Sequence, residues 1–84
     1  MLPDRESDAE KYLREILREA RVKAGLRQSD LADLLGAPQS FVSKYESGER
    51  LLTFTEALFI LERLGVSGTS VAKRVSAIFN DAKS

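Results

Sequence analysis

Glycines at positions 25, 36, 48 and 65 cut the chain into short segments. Each segment repeats its apolar residues at helical rather than alternating spacing, so short helices are the fold these residues allow. Ser7–Glu10, "SDAE", reads as a capping box with Ser7 as N-cap and Glu10 reaching back. Behind it Ala9, Tyr12, Leu13, Ile16, Leu17, Ala20 and Ala24 share one face, and Gly25 closes the helix as a left-handed cap. A second helix is predicted over Gln28–Leu35, burying Leu31, Ala32, Leu34 and Leu35, with Gly36 as its stop. A third runs from about Pro38 or Gln39 to Ser47, with Pro38 in its first turn and Gly48 as its stop. "TFTE" at Thr53–Glu56 is a second capping box, and the helix it opens ends at Leu64–Gly65. On this fourth helix Phe54, Ala57, Leu58, Leu61 and Leu64 gather on one side. A fifth helix over about Thr69–Asn80 places Val71, Val75, Ile78 and Phe79 together. No stretch alternates like a strand. The prediction is an all-α chain of five short helices.

Eighty-four residues make one domain, spanning 1–84 with the last helix in residues 67–84. A chain of this size buries a little over ~60% of its unfolded surface, enough for a modest core without staples. With no cysteine there is no disulfide framework and no thiolate metal site. With no histidine the commonest general base and metal ligand is missing as well. The acids of Asp4–Asp8, "DRESD", lie at a terminus, and no P-loop or glycine-rich nucleotide turn occurs. The expectation is no enzyme, no catalytic residue, no metal and no cofactor.

The longest apolar run, "ALFIL" at Ala57–Leu61, is far short of the ~20 residues needed to cross a bilayer. The start "MLPDRESDAE" has no apolar region of the signal-peptide kind. A cytoplasmic protein with no membrane partner is therefore expected. Net charge is zero, which weighs against nucleic acid, but the charges are unevenly spread. Residues 1–10 hold four acids and one base, whereas residues 11–27 hold six bases and two acids. A neutral domain can still present one basic face.

The segment "GAPQSFVSKYESGER", Gly36–Arg50, is too polar for core. Laid on a helix at roughly 100° per residue, Phe41, Val42 and Tyr45 share an inward arc. Gln39, Ser40, Ser43, Lys44 and Ser47 share the outward one, which has donors, acceptors and a cation but no acid. Short hydroxyls, an amide and an ammonium suit base edges and phosphates, although a solvated face of the same composition stays open on this ground alone. The spacing adds to it: a helix, a turn of about three residues at Gly36–Pro38 and a second helix make a helix-turn-helix. Ala32 lets the two helices cross closely, and Gly36 accepts a positive φ at the turn without steric cost.

These residues carry a resemblance. "GLRQSDLADLLGAPQSFVSKYESGER" resembles the phage-repressor and Cro-like (Xre-type) helix-turn-helix DNA-binding family. The matching features are "RVKAGLRQ", "LA" at Leu31–Ala32, "LG" at Leu35–Gly36, "QSFVSKYE", "SGER" and "LERLGV", together covering about residues 13–66. The resemblance implies a five-helix bundle of the lambda-repressor type that binds double-stranded DNA as a symmetric homodimer, its third helix in the major groove. It places Gln39, Ser40, Ser43 and Lys44 where the family reads bases. It places Arg27, Gln28, Ser47 and Arg50 around the phosphates, and it pairs Arg21 with Glu46 inside the protein. Two departures stand out. Arg27 replaces the usual Ser or Thr cap of the second helix, and Pro38 replaces a Ser or Thr at the start of the third.

Two other groups of residues have competing roles. Lys11, Arg14 and Arg18 flank Arg21, yet Glu10–Arg14, Glu15–Arg18 and Glu19–Lys23 are spaced as helix-surface pairs worth ~0.2–0.5 kcal/mol each. Phe59 projects away from the apolar side of its helix, so it serves either a subunit contact or packing against the fifth helix or the N-terminal segment. Phe59, Val71, Val75, Ile78 and Phe79 are the dimer-interface candidates. The functional expectation is a sequence-specific transcriptional regulator, a repressor or operon controller, on a palindromic operator. The alternative is an antitoxin or protein-interaction module with little DNA binding, which would bring in a protein partner; a restriction–modification controller fits the same size.

Overall fold

The computed structural model describes residues 2, 4 and 6–81, with Asp81 described by its backbone alone. Among the described residues five helices follow one another: α1 (Asp8–Lys23), α2 (Gln28–Leu35), α3 (Gln39–Ser47), α4 (Phe54–Arg63) and α5 (Gly68–Asp81). No strand occurs among the described residues, so the chain is an all-α helix-turn-helix fold. Of the expected C-terminal segment, residues 82–84 lie outside the described residues.

The local signals act as chemistry requires, with two revisions. At Thr53–Glu56 both legs of the capping box form: Glu56 N donates to Thr53 Oγ1 at 3.1 Å and Thr53 N donates to Glu56 Oε1 at 2.8 Å. At Ser7 only the forward leg forms, Glu10 N donating to Ser7 Oγ at 3.2 Å. The Ser7 N–H goes to the carbonyl of Asp4 at 3.0 Å, so Glu10 has no donor to reach back for. Pro38 is the N-cap of α3, not part of its first turn, because its ψ of 153° is extended.

The core gathers Ile16 and Leu17 of α1, Leu31 and Ala32 of α2, Val42 and Tyr45 of α3, Ile60 and Leu61 of α4, and Val71 of α5. Each large apolar side chain buried this completely contributes ~1.5–3 kcal/mol. α3 packs on α1 and α2, and α5 closes over α1, where Arg74 Nε donates to Tyr12 Oη at 3.1 Å. Two expected apolar faces are turned. Leu34 is 49% exposed, because the buried Leu31, Ala32 and the half-buried Leu35 centre the face of α2 about 100° away from it. On α4 the buried side is Ala57, Ile60 and Leu61, which leaves Phe54 73% exposed and Leu58 at the surface. Val71 is 3% exposed, so it belongs to the core and is withdrawn from the dimer-interface candidates.

Candidate nucleic-acid interface

α2 ends at Gly36, whose φ of 70° and ψ of 32° turn the chain into the left-handed region. Ala37 N then donates back to the Ala32 carbonyl at 2.9 Å, closing the turn before Pro38. This turn sets α3 across α2 with Val42 and Tyr45 buried inward. Phe41 meets Tyr45 edge-on, with ring centroids 5.6 Å apart. The opposite side of α3 faces solvent: Gln39, Ser40, Lys44 and Ser47 are exposed and Ser43 is half-exposed. Ser43 Oγ donates to the Ser40 carbonyl at 3.3 Å and Ser47 Oγ to the Lys44 carbonyl at 3.1 Å. Ser43 Oγ keeps its acceptor lone pairs for an incoming group, whereas Ser47 Oγ already accepts from Glu49 N at 3.5 Å and lies 3.4 Å from Glu49 Oε1.

Glu46, the single acid of α3, is turned inward. Its Oε2 accepts from Arg21 Nε at 2.7 Å and its Oε1 accepts from Arg21 Nη2 at 3.1 Å. Arg21 Nη1 donates to the Leu26 carbonyl at 2.7 Å, which ties the α1–α2 connection into the same cluster. The hydrogen bond to Glu46 raises the pKa of Arg21 further, and burial pulls the other way. Gln28 is drawn in too, its Nε2 donating to Glu46 Oε1 at 3.0 Å. The side-chain amide expected at a phosphate is therefore held on a carboxylate. At this helix start the backbone is what faces outward: the first intrahelical bond is Leu31 N to Arg27 O, so the N–H groups of Gln28, Ser29 and Asp30 precede it.

Arg27 carries a reversed cap. A guanidinium cannot accept a bond, so Asp30 does the capping, its Oδ2 accepting from Arg27 N at 2.9 Å. The same carboxylate takes Arg27 Nε at 3.0 Å and Nη2 at 3.1 Å, and these bonds from Arg27 lower the pKa of Asp30. The Arg27 side chain is still 82% exposed at the positive end of α2.

Arg50 is held more firmly than its loop position suggests. Nη1 and Nη2 donate to the two carboxylate oxygens of Glu56 at 3.0 and 2.9 Å, and the Cζ sits 4.8 Å from the Phe41 ring centroid. Sequence reasoning missed this partner, because Glu56 already had a role in the capping box. It also missed Arg14, whose guanidinium lies over Gly48 at the end of α3: a Cβ there would sit 3.0 Å from Arg14 Cζ.

Phe59 is 46% exposed and stacks with Arg63, whose Cζ is 5.0 Å from the ring centroid. It shares a groove with Leu35, Ala37 and Phe41, on the side of the helix-turn-helix and away from α5. On α5, Val75 and Ile78 are half-buried and Phe79 is 45% exposed. A second groove, apolar throughout most of its lining, runs between α1, α4 and α5 past Leu13, Phe54, Leu58 and Val75. Among the described residues no group of three or more His, Cys, Asp or Glu could hold a metal, and no helix is long and apolar enough to cross a membrane.

Comparison with known proteins gives the same fold. The helix-turn-helix family profile matches residues 17–71. An XRE-family like protein from Pseudomonas syringae pv. tomato str. DC3000 has a similar solved structure, with a TM-score of 0.77 and 37% sequence identity. That similarity covers 83% of this chain and 85% of the other. No curated protein matches.

Proposed function

Since the chain belongs to the XRE-type helix-turn-helix family of DNA-binding transcription regulators, we propose that it binds a palindromic operator as a two-fold dimer and represses or controls an operon. The observation that carries this reading is the outward face of α3. It offers Gln39, Ser40, Ser43 and Lys44 to a major groove while its one acid is buried on Arg21. Gln and Ser can take either donor or acceptor edges, and Lys prefers guanine acceptors or phosphate. Phosphates lie against the N–H groups that open α2, with Arg27 and Ser47 beside them. The half-sites are separated by about one helical turn.

The dimer uses the apolar surface of α4 and α5, where Phe54, Leu58, Val75 and Phe79 leave carbon exposed that a second subunit would cover. The protein acts in the cytoplasm at the nucleoid, without catalysis or cofactor. Regulation by concentration or by a partner suits a phage repressor, a restriction–modification controller or an antitoxin.

A rival reading, a protein-interaction module that has given up DNA, draws on zero net charge and on Arg27 and Arg50 both being held by acids. Selection of bound duplexes from a randomised pool, followed by a salt titration of the winner, separates the two. A DNA-binding dimer enriches a palindrome and loses affinity steeply with salt as counterions return to the phosphates. No enrichment, even at low salt, would overturn the proposal.

A further inference from the structure

Glu56 makes more bonds than a helix cap needs. Besides the Thr53 N–H it takes both terminal nitrogens of Arg50, so the guanidinium is held at two points. Arg50 Nη1 also donates to the Leu51 carbonyl at 3.0 Å, and Arg50 Cζ lies over the Phe41 ring. Phe41 in turn lies edge-on to Tyr45, which is 1% exposed in the core. Arg50 N donates to the Lys44 carbonyl at 3.2 Å, tying the loop backbone to the end of α3. A continuous path of contacts thus runs from the cap of α4, through one arginine, to the inward side of the helix that faces the groove.

We infer that Glu56 is a positioning residue for DNA binding: it holds Arg50 as a strut between α4 and Phe41, which sets the angle of α3, and Arg50 is not a phosphate ligand. The inference rests on the DNA-binding reading above. For Arg50 to turn to a phosphate it would have to leave two charge-assisted bonds and an aromatic face together. It would also leave the Glu56 carboxylate uncompensated close to the DNA backbone. The opposite arrangement, in which Glu56 merely restrains an arginine destined for phosphate, predicts the opposite sign of effect when Glu56 loses its charge.

The test uses the full chain and the duplex that the wild-type protein enriches from a randomised pool. Affinity is measured at several salt concentrations, under conditions where circular dichroism shows every variant fully folded. Glu56→Gln keeps an oxygen for the Thr53 N–H but releases the arginine. The expected result is affinity lowered ~10-fold with the slope of log K against log salt unchanged, since no phosphate contact is lost. Arg50→Lys keeps the cation but loses the two-point grip, and is expected to weaken binding to a similar degree. Tighter binding by Glu56→Gln with a slope steeper by about one would make Arg50 a restrained phosphate ligand and overturn the proposal. Wild-type affinity in Arg50→Lys would overturn it as well. So would a lowered melting temperature with unchanged affinity in both variants, which would make the cluster purely a fold stabiliser. If the wild type itself enriches no duplex, the DNA-binding reading falls first and the proposal falls with it, a result the variants cannot mimic.

Discussion

Arg21 and Glu46 meet at 2.7 Å beneath the outward-facing helix, with 11% and 5% of their side chains exposed. A pair this buried gains little over an apolar pair of the same volume, because both ions had to leave water. Losing one partner is another matter. Arg21→Ala strands Glu46 without its cation and strips Leu26 of a donor, so a loss of about 3–5 kcal/mol is expected by urea denaturation. Against a total of ~5–15 kcal/mol for a domain, that is a large share. Arg21→Met combined with Glu46→Leu should recover much of it, short of the Leu26 and Gln28 bonds. Unchanged stability in Arg21→Ala with weakened DNA binding would instead place Arg21 on a phosphate.

The Tyr45 hydroxyl gives a prediction of opposite sign. Tyr45 Oη is buried and has no hydrogen-bond partner among the described residues, and burial pushes the phenol above its ordinary range. An unpaired buried hydroxyl costs ~1–3 kcal/mol of desolvation. Tyr45→Phe is therefore expected to leave the stability measured by urea denaturation unchanged or to raise it by up to ~1 kcal/mol. A clear drop in stability would show that the hydroxyl is bonded in solution.

Sequence is a good guide where the deciding interactions are local. The helix ends were legible because they depend on neighbours within four residues: Thr53 with Glu56, Gly36 after Leu35, Gly48 after Ser47. Tyr45 was legible as core because Val42 and Phe41 share its arc. The errors have another origin. Phe54 and Leu58 fall on the apolar side of α4 by periodicity, yet that arc is wider than the surface α2 and α5 can cover, so the burial centre moves to Ile60. The partners of the long polar side chains escaped sequence reasoning for a related reason. Arg50 and Gln28 sit where phosphates are expected, but long side chains choose among all acceptors within reach, and the nearness of Glu56 and Glu46 is a tertiary fact. Arg21 with Glu46 came into view only through the family resemblance.

Gly48 is constrained twice and Gly36 once. Both have positive φ, 88° and 70°, a region that costs other residues about 1–2 kcal/mol. At Gly36 an added Cβ meets nothing within 4 Å, whereas at Gly48 it meets the Arg14 guanidinium at 3.0–3.3 Å. Gly48→Ala is thus expected to lose more stability than Gly36→Ala in thermal melts. In an Arg14→Ala background the two alanine costs should converge, a coupling that a double-mutant cycle reads directly.

Acid should weaken the α3–α4 connection. The bonds from Arg50, then that from Thr53, lower the pKa of Glu56 from 4.5 to about 2. A carboxylate depressed in the folded state adds stability above its unfolded pKa and loses it as pH falls toward its folded pKa. The contribution of Glu56 is therefore present above about pH 5 and fades down to about pH 2. Asp30, lowered by Arg27, acts in the same direction. The stability advantage of the wild type over Glu56→Gln, from urea midpoints across that window, should shrink as pH falls. A gap independent of pH would mean that the carboxylate charge contributes nothing.

Lys44 and Arg27 should fail in different ways. Lys44 is exposed on the acid-free face of α3, where a groove presents base edges, so its loss removes a contact that differs between sequences. Lys44→Ala is expected to cost about 1–3 kcal/mol on the selected duplex and little on a scrambled one, so discrimination narrows. Arg27 is exposed at the start of α2, among backbone N–H groups that suit a phosphate in any sequence. Arg27→Ala should weaken both duplexes alike and reduce the salt slope by about one. If Lys44→Ala instead weakens both duplexes equally, then Lys44 touches only the backbone and sequence is read by Gln39, Ser40 and Ser43.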